Sequence, residues 1–552
     1  MANGRAPGFD LLLPMFFAET LANEATHSFS RIVVDYLADA QALRPFYQHR
    51  PDLAGISEAI AERRSAPQHR TVLVEALQRQ YRAVDAHEAV RRNIEALAHP
   101  DTFTVTTAHQ PNLLGGPLYF IYKILHAIRL AEELEQAFAG MRFVPVFYMG
   151  SEDADLEELN HFTVRGKRYT WHTKQTGAVG RMIIDNQLIA LVDELEGQLA
   201  VEAHGSELIA LVRSCYIVGR SIQDATFALV DALFGRYGLV VLNADDAALK
   251  QLMQPVFEAD LFRREASAIV SDSSARLQEH YDVQAHPREI NLFYLEGAVR
   301  ARIEQRGSEY FVLGTDIRFS ENELRTELAD HPERFSPNVI LRGLYQETIL
   351  PNVAFIGGGG ELAYWLQLKD LFTHYKVPFP VLVLRNSLLL VHPRLSALAQ
   401  SLSVDTQALF FDTMTLMNKH LERLGKQPKL NGEVAELQQL YAKLKTGAAE
   451  VDVTLGQHVD ALQARALQLL AALEKKMQRA ARRKEDATQR QLQKLKDQLF
   501  PKGGLQERVE NFTSWYAESG PAFIDALLAH SGSLEQQFTV LYQNHSANAP
   551  GA

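Results

Sequence analysis

The chain has 552 residues, of which 47% are hydrophobic and 22% charged, a composition that excludes disordered and fibrous proteins. Its 67 Asp and Glu residues outnumber 56 Lys and Arg residues and give a net charge of −11, which argues against nucleic-acid binding. The single cysteine, Cys215, excludes an internal disulfide framework and fits a cytoplasmic protein, and no apolar run is long enough for a membrane span.

The first part of the chain changes its hydrophobic pattern once. Apolar residues recur at helical spacing from about Phe17 to Ala98, which predicts an N-terminal helical layer over residues 1–100. The β-branched run 103–108 then predicts a buried strand, and it is followed by a Gly/Pro loop, a helix over 118–138 and a strand over 143–149. This order is typical of a doubly wound α/β fold.

Three further apolar runs predict strands of the same sheet, at residues 238–243, 353–356 and 381–384. Five such strands complete a Rossmann-like parallel sheet. Its predicted core consists of residues 101–160, 220–260 and 335–395. The remaining segments mix short alternating strands with polar turns and are interpreted as connecting insertions, at residues 161–219 and 261–334.

Residues 396–552 predict a helical coiled-coil domain. From Val434 to Met477 the apolar residues recur at steps of three and four, which is a heptad seam. Unbroken to Leu499, this helix would be roughly 100 Å long and would need a partner. The partner is either this chain, if Gly447 or Gly456 breaks the helix into a hairpin, or a second copy. The sequence favours a homodimer, because little of the chain remains to cover the seam.

In an open parallel sheet, ligands bind beyond the carboxyl ends of the strands, so three loops are candidate sites. The glycines of the first loop let the backbone approach a ligand closely. The start of the helix that follows could hold a phosphate or carboxylate through its free N–H groups. The candidate binding residues of this loop and helix are His109, Gln110, Asn112, Gly115, Gly116, Tyr119 and Lys123. The alternatives are an ordinary helix start and, for Lys123, an ordinary surface lysine.

The second loop is acidic and contains Glu152, Asp153 and Asp155. Crowded carboxylates raise at least one pKa and favour an ammonium partner, a metal or general-base chemistry. The equally good alternative is an acidic helix N-terminus that interacts with the helix dipole.

The third loop is a run of four glycines, which has no use inside a strand or helix and indicates close contact with a ligand. Glu361 is a further candidate catalytic residue, and Arg342 and Arg385 are candidate anion-binding residues. The other candidate binding residues of this loop are Gly357, Gly358, Gly359, Gly360, Tyr364 and Trp365. The sequence contains no nucleophile elbow, HExxH or CxxC spacing, and no metal is predicted.

Taken together, these stretches resemble the bacillithiol-biosynthesis cysteine-adding enzymes, the BshC family. The resemblance rests on blocks in the same order along the chain: His109-Gln…Gly-Pro-Leu-Tyr…Lys-Ile124, Val144-Pro-Val-Phe…Glu152-Asp-Ala-Asp155, Gly238-Leu-Val-Val-Leu-Asn243, His331-Pro-Glu-Arg-Phe-Ser-Pro-Asn338 and Gly357-Gly-Gly-Gly-Glu361…Tyr364-Trp365. Ala154 stands where this family often has a histidine, so a histidine there is not essential in this chain. Gly359 stands where the family often has a proline.

The resemblance implies a Rossmann-like core with connecting insertions and a coiled coil that pairs two chains. It also implies the reaction, in which L-cysteine is joined to the amino group of glucosaminyl malate to give bacillithiol. A free carboxylate is a poor electrophile, so amide formation needs activation, most simply by ATP or another nucleotide. On this hypothesis the loops at Gly115 and Gly357 hold phosphates or the malate, and Glu152, Asp153 and Asp155 bind an ammonium group or remove its proton.

Two other functions remain open at this point. One is a nucleotidylyltransferase-like enzyme that adenylylates a small acid, although its usual HxGH signature is replaced by His109-Gln-Pro-Asn112. The other is a non-catalytic coiled-coil protein that only binds a ligand. All site predictions require the three loops to meet at one edge of one sheet.

Overall fold

The computed structural model describes residues 16–544, so the predictions for residues 1–15 and 545–552 lie outside the described residues. The chain forms two compact units. The larger unit contains residues 16–389 and 505–541, and the smaller one contains residues 390–504 and 542–544. The prediction placed 396–552 in one helical domain, whereas the structure groups 505–541 with the larger unit.

The strands, in chain order, are β1 (Phe16–Leu21), β2 (Thr102–His109), β3 (Arg142–Met149), β4 (His161–Val164), β5 (Lys167–Thr170), β6 (Val240–Asn243), β7 (Leu292–Glu296), β8 (Val299–Arg306), β9 (Glu309–Val312), β10 (Arg318–Ser320), β11 (Phe335–Pro337), β12 (Asn352–Gly357), β13 (Val381–Leu384), β14 (Ser387–Val391) and β15 (Phe538–Gln543).

The α-helices, in chain order, are α1 (Arg31–Leu37), α2 (Leu53–Ser65), α3 (Arg70–Gln80), α4 (Glu88–Ala96), α5 (Tyr119–Ala137), α6 (Leu156–Leu159), α7 (Asn186–Leu199), α8 (Gly205–Cys215), α9 (Ile222–Phe234), α10 (Ala247–Gln251), α11 (Gln254–Arg263), α12 (Glu265–Gln278), α13 (Glu321–Asp330), α14 (Val339–Ile349), α15 (Gly359–Trp365), α16 (Lys369–Tyr375), α17 (Pro393–Ser401), α18 (Thr413–Arg423), α19 (Asn431–Val451), α20 (Leu455–Lys484), α21 (Asp486–Leu499), α22 (Thr513–Ser519) and α23 (Pro521–Ala529). Among the described helices, none is both long enough and apolar enough to cross a membrane.

The centre of the larger unit is a five-stranded parallel sheet in the order β13-β12-β2-β3-β6. All five predicted strands form and join this one sheet, which confirms the predicted α/β class. Apolar side chains of β2, β12 and β13 pack with those of α5, because continuous apolar runs are buried on both faces of a parallel sheet. The strand order reverses between β2 and β12. In doubly wound sheets, ligands bind at this switch point.

The two predicted insertions contain separate antiparallel structure. The first holds the hairpin β4-β5, and the second holds most of a five-stranded sheet in the order β10-β9-β8-β7-β11. The alternating polar and apolar pattern of these segments agrees with sheets that expose one face to solvent. Strands β1, β15 and β14 form a further small sheet.

In the smaller unit, α19 and α20 form an antiparallel hairpin. Lys445 of α19 pairs with Asp460 of α20 at 2.7 Å, and the Leu430 N–H before α19 donates to Glu474 near the other end of α20. The chain turns at residues 452–454, where Asp452 accepts hydrogen bonds from the N–H and hydroxyl of Thr454. The unbroken helix is therefore wrong, and neither Gly447 nor Gly456 makes the turn.

Candidate functional site

The loops after β2, β3 and β12 meet at the carboxyl edge of the parallel sheet. The first two loops are joined by a backbone bond from the Gly150 N–H to the His109 carbonyl (2.8 Å) and by the Gln110 amide, which donates to Asp153 Oδ2 (3.1 Å). The first and third loops are joined through Lys123 of α5 and Glu361 of α15. The crevice required by the site predictions therefore exists at the switch point.

Lys123 lies at the centre of this crevice. Its side chain is 1% exposed, and Nζ donates to Glu361 Oε2 at 2.7 Å, to Oε1 at 2.9 Å and to the Ala108 carbonyl. Burial would raise the pKa of Glu361, but Lys123 and the Gly358 N–H outweigh burial and lower it. Glu361 is therefore a carboxylate that accepts hydrogen bonds from the buried Lys123, and the alternative of an ordinary surface lysine is wrong.

His109 and Tyr119 form one wall of the crevice, with Arg385 beside them. His109 Nε2 lies 3.1 Å from the Tyr119 hydroxyl, and the Arg385 guanidinium lies 5.1 Å from the Tyr119 ring centre. Arg385 donates to the buried Glu507 at 2.7 Å, which fixes the guanidinium in place. Burial raises the pKa of Tyr119 to about 12, so its hydroxyl remains a neutral donor.

We expect His109 to stay neutral throughout the physiological pH range. Burial and the nearby Lys123 charge lower the pKa of His109 to about 4. Because the folded state then binds fewer protons than the unfolded chain, this histidine removes stability as pH falls from about 6.5 towards 4. NMR of ring-labelled histidine, with His109→Phe to assign the signal, measures this pKa. A midpoint near 6.5 would contradict the prediction, and the more exposed His331 is a control.

A second group of charges surrounds Asp153 after β3. Arg342 Nη1 and Nη2 each lie 3.3 Å from Asp153 Oδ2, and Arg300 Nη1 lies 3.8 Å from Oδ1. Burial alone would raise the pKa of Asp153, but the two guanidinium groups outweigh it and lower the pKa. Asp153 is therefore a carboxylate that orders two arginines rather than a proton acceptor.

The two other acidic candidates have different surroundings. Glu152 is buried and pairs with Lys250, which also pairs with Asp245 at 3.1 Å. Burial raises the pKa of Glu152 although Lys250 acts in the opposite direction. Asp155 is exposed, it immediately precedes α6, and its side chain makes no capping hydrogen bond to that helix. Its position fits an acidic helix start and also leaves the carboxylate accessible to a ligand.

The glycines of the first loop have a different role from the predicted one. Gly115 and Gly116 adopt φ of +73° and +59°, and a Cβ on Gly116 would lie 2.4 Å from the Asn112 amide. Their N–H groups donate to the carbonyls of Asn112 and Leu113, within the turn. These N–H groups are therefore unavailable to a phosphate, and Asn112 is buried beneath the turn.

The four glycines of the third loop divide into two kinds. A Cβ on Gly357 would meet the Phe355 ring at 2.8 Å and the Leu362 side chain at 3.0 Å, so packing within the chain accounts for this glycine. A Cβ on Gly359 would approach only the Val33 side chain, at 3.0 Å. Gly358 lies against Glu361 and Arg385, and a Cβ on Gly360 would meet open space. The structure therefore gives a packing reason for Gly357, and ligand contact stays a prediction for Gly358, Gly359 and Gly360.

The two aromatic residues of α15 lie in different places. Tyr364 is half-buried, and the charges of Glu361 and Arg342 both act on its hydroxyl, whose pKa burial raises. Trp365 is 1% exposed and stacks on Phe355 at 4.4 Å between ring centres. The prediction that Trp365 flanks the crevice is wrong, because its position on the helix faces the core.

Four residues that build this site are not predicted from the sequence. Arg300 comes from β8 of the second insertion, Lys250 from α10, and Glu507 and Asn511 from the segment after the coiled coil. Asn511 donates to the carbonyls of Leu114 and Gly116 and holds the first loop. The sequences around these residues contain no motif. A weak signal is present only in β8, where the two-residue period of a strand places the side chains of Arg300 and Arg302 on the same face.

Comparisons with known proteins agree with this architecture. Residues 18–386 match the family described as bacillithiol biosynthesis BshC, N-terminal Rossmann-like domain, and residues 388–543 match the corresponding C-terminal coiled-coil domain. Relatives with the name "Putative cysteine ligase BshC" include proteins of two bacteria. The protein of Cytophaga hutchinsonii is 39% identical over 90% of this chain and 93% of its own length. That of Flavobacterium johnsoniae is 37% identical over 95% and 99%. The chain therefore belongs to the BshC family, the cysteine ligases of bacillithiol biosynthesis.

Proposed function

We propose that the protein joins L-cysteine to the amino group of glucosaminyl malate, in the last step of bacillithiol formation. The observation that carries this proposal is the switch-point crevice. Arg385 lies close enough to the Lys123–Glu361 pair for the Glu361 charge to act on it, and Arg342 and Arg300 surround Asp153 of the second loop. A crevice with several guanidinium groups suits an anionic substrate, because arginine binds carboxylates through paired hydrogen bonds.

The acceptor amine must lose its proton before it attacks the cysteine carbonyl carbon. Of the three acidic candidates, Glu152 is taken by Lys250 and Asp153 by two arginines, whereas Asp155 is exposed. In this proposal Asp155 binds the substrate ammonium group at the mouth of the crevice and accepts the proton that the amine releases. Glu361 and Lys123 form the crevice floor and orient the reacting groups.

Activation of the cysteine carboxylate is the second requirement, and ATP or another nucleotide is the proposed source. The predicted phosphate cradle at Gly115 and Gly116 does not fit, because both N–H groups bond within their own turn. We therefore assign no residue of the first loop to a nucleotide. Measurement of ADP or AMP alongside the thiol product tests whether a nucleotide is consumed.

The decisive experiment mixes the purified protein with L-cysteine and glucosaminyl malate, with and without ATP. Thiol labelling and mass spectrometry should detect bacillithiol, and omission of either substrate should abolish the signal. Pyrophosphate release from ATP and a small acid, with no thiol product, would instead support the nucleotidylyltransferase alternative. Normal bacillithiol levels after deletion of the gene would contradict the proposal.

The coiled coil supports a homodimer as the second part of this proposal. Leucines of the hairpin remain exposed although α19 and α20 cover each other, for example Leu440 at 52% and Leu469 at 73%. An apolar stripe of this kind on a soluble protein marks an interaction surface, and its heptad spacing suits a second copy of the same hairpin.

Replacement of Leu462 and Leu469 by Asp should convert the dimer into a monomer, because each charge would be buried in the seam. Sedimentation or light scattering measures the mass, and Val201→Asp is the control, since Val201 is also an exposed apolar residue but lies in the larger unit. A wild-type protein that is monomeric at micromolar concentration would contradict the dimer.

A further inference from the structure

Arg300 is buried without enough partners. Strand β8 carries its side chain to the crevice edge, where only 6% of it is exposed and its guanidinium lies 4.0 Å from the Phe293 ring centre. Its Nε is buried and makes no hydrogen bond within residues 16–544. A buried charged donor without an acceptor is costly, so such a group is retained where a ligand supplies the acceptor.

Arg300 and Arg342 share a single carboxylate as their ion-pair partner. That carboxylate, Asp153, also accepts hydrogen bonds from the neutral Gln110 amide and from the Ala154 N–H. These three charged groups carry one net positive charge, and the carboxylates of Glu152 and Asp155 act on Arg300 without forming an ion pair with it. Stacking on Phe293 fixes the plane of one guanidinium, and Asp153 fixes the other, so both present a rigid arrangement of donors.

We propose that Arg300 and Arg342 bind the malate carboxylates of the amine substrate, and that Arg300 determines specificity for that group. This inference rests on the proposed function. Malate takes no part in bond formation, so a rigid and partly desolvated pair of guanidinium groups suits it, whereas the cysteine carboxylate must remain free to react. Asp153 keeps the two cations ordered when substrate is absent.

The test compares Arg300→Met and Arg300→Lys with wild-type enzyme, and Arg302→Met is the matched control because Arg302 is exposed on the same strand. Loss of a charge-assisted bond should raise KM for glucosaminyl malate about tenfold to hundredfold in Arg300→Met. KM for cysteine should change by less than about twofold. Methyl glucosaminide, which lacks malate, should be a poor substrate of the wild type and should lose nothing further in Arg300→Met.

Failure of this inference and failure of the proposed function give different results. If wild type makes no bacillithiol, the function is wrong, and L-malate then tests the site directly through its effect on thermal unfolding. Stabilisation by L-malate in wild type and in Arg302→Met, but not in either Arg300 variant, supports the site. Equal KM values, an increase confined to cysteine, or equal stabilisation of all variants would overturn it.

Discussion

Replacement of Lys123 by Met should reduce the rate of bacillithiol formation at least about a hundredfold, the usual effect of removing one fixed charged donor from an active site. The change removes the cation from the crevice floor and leaves Glu361 facing the Gly358 N–H alone. The unfolding free energy should also fall. The loss should be smaller than the roughly 3–5 kcal/mol typical of a fully buried pair, because Glu361 is 27% exposed.

Two further variants separate the loss of activity from the loss of stability. The double variant Lys123→Met/Glu361→Gln removes both charges and should regain most of the stability, because neither partner is then left as an unpaired charge. Its activity should remain low. Recovery of both stability and rate would show that the pair only supports the fold. Lys174→Met, at an exposed loop position, is the control and should resemble wild type.

Replacement of Arg63 by Met should cause the largest loss of stability in the larger unit, about 3–5 kcal/mol. Arg63 and Glu347 are 2% and 0% exposed and pair at 2.6 Å. Arg63 also donates to the carbonyls of Asn352, Glu347 and Pro378 and so ties α2 to the start of β12. Chemical denaturation measures the change, and the exposed neighbour Arg64→Met is the matched control.

The loss in Arg63→Met should depend on pH. Burial already raises the pKa of Glu347, and removal of the Arg63 cation should raise it further. The folded variant then binds more protons than its unfolded chain, so its stability falls as pH rises above the unfolded carboxyl pKa. The difference from wild type should therefore be small in acid and large at neutral pH. A difference that is independent of pH would show that Glu347 is not the group left unpaired.

The parallel sheet could be predicted from sequence because its strands are continuous apolar runs that are read locally. The convergence of the three loops followed from the geometry of parallel strands, since all carboxyl ends lie at one edge. The sequence identified Lys123 as a candidate binding residue near the first loop. Its burial was not predicted, because its partner Glu361 is far away in the sequence.

The parts that sequence analysis missed depend on long-range contacts. The site receives three side chains from distant segments, those of Arg300, Lys250 and Glu507. The local sequence of these segments predicts only a strand, a short helix and a turn, and no role in a site. The hairpin was one alternative, with its turn expected at Gly447 or Gly456, whereas the structure turns at Asp452, whose side chain accepts hydrogen bonds from Thr454 that residue spacing does not reveal. Trp365 was predicted to flank the crevice because it follows the glycines closely in the sequence. Its side chain instead points into the core, a direction set by its position on the short helix α15.

The position of residues 505–541 in the larger unit has a consequence for biogenesis. The segment that supplies Glu507 and Asn511 leaves the ribosome only after the whole helical hairpin has been synthesised. A nascent chain that ends near residue 389 contains every strand of the parallel sheet. It lacks Glu507, which pairs with Arg385, and Asn511, which donates hydrogen bonds to the first loop. Translation must therefore near completion before the pocket acquires its final shape, and the hairpin is topologically an insert rather than a tail.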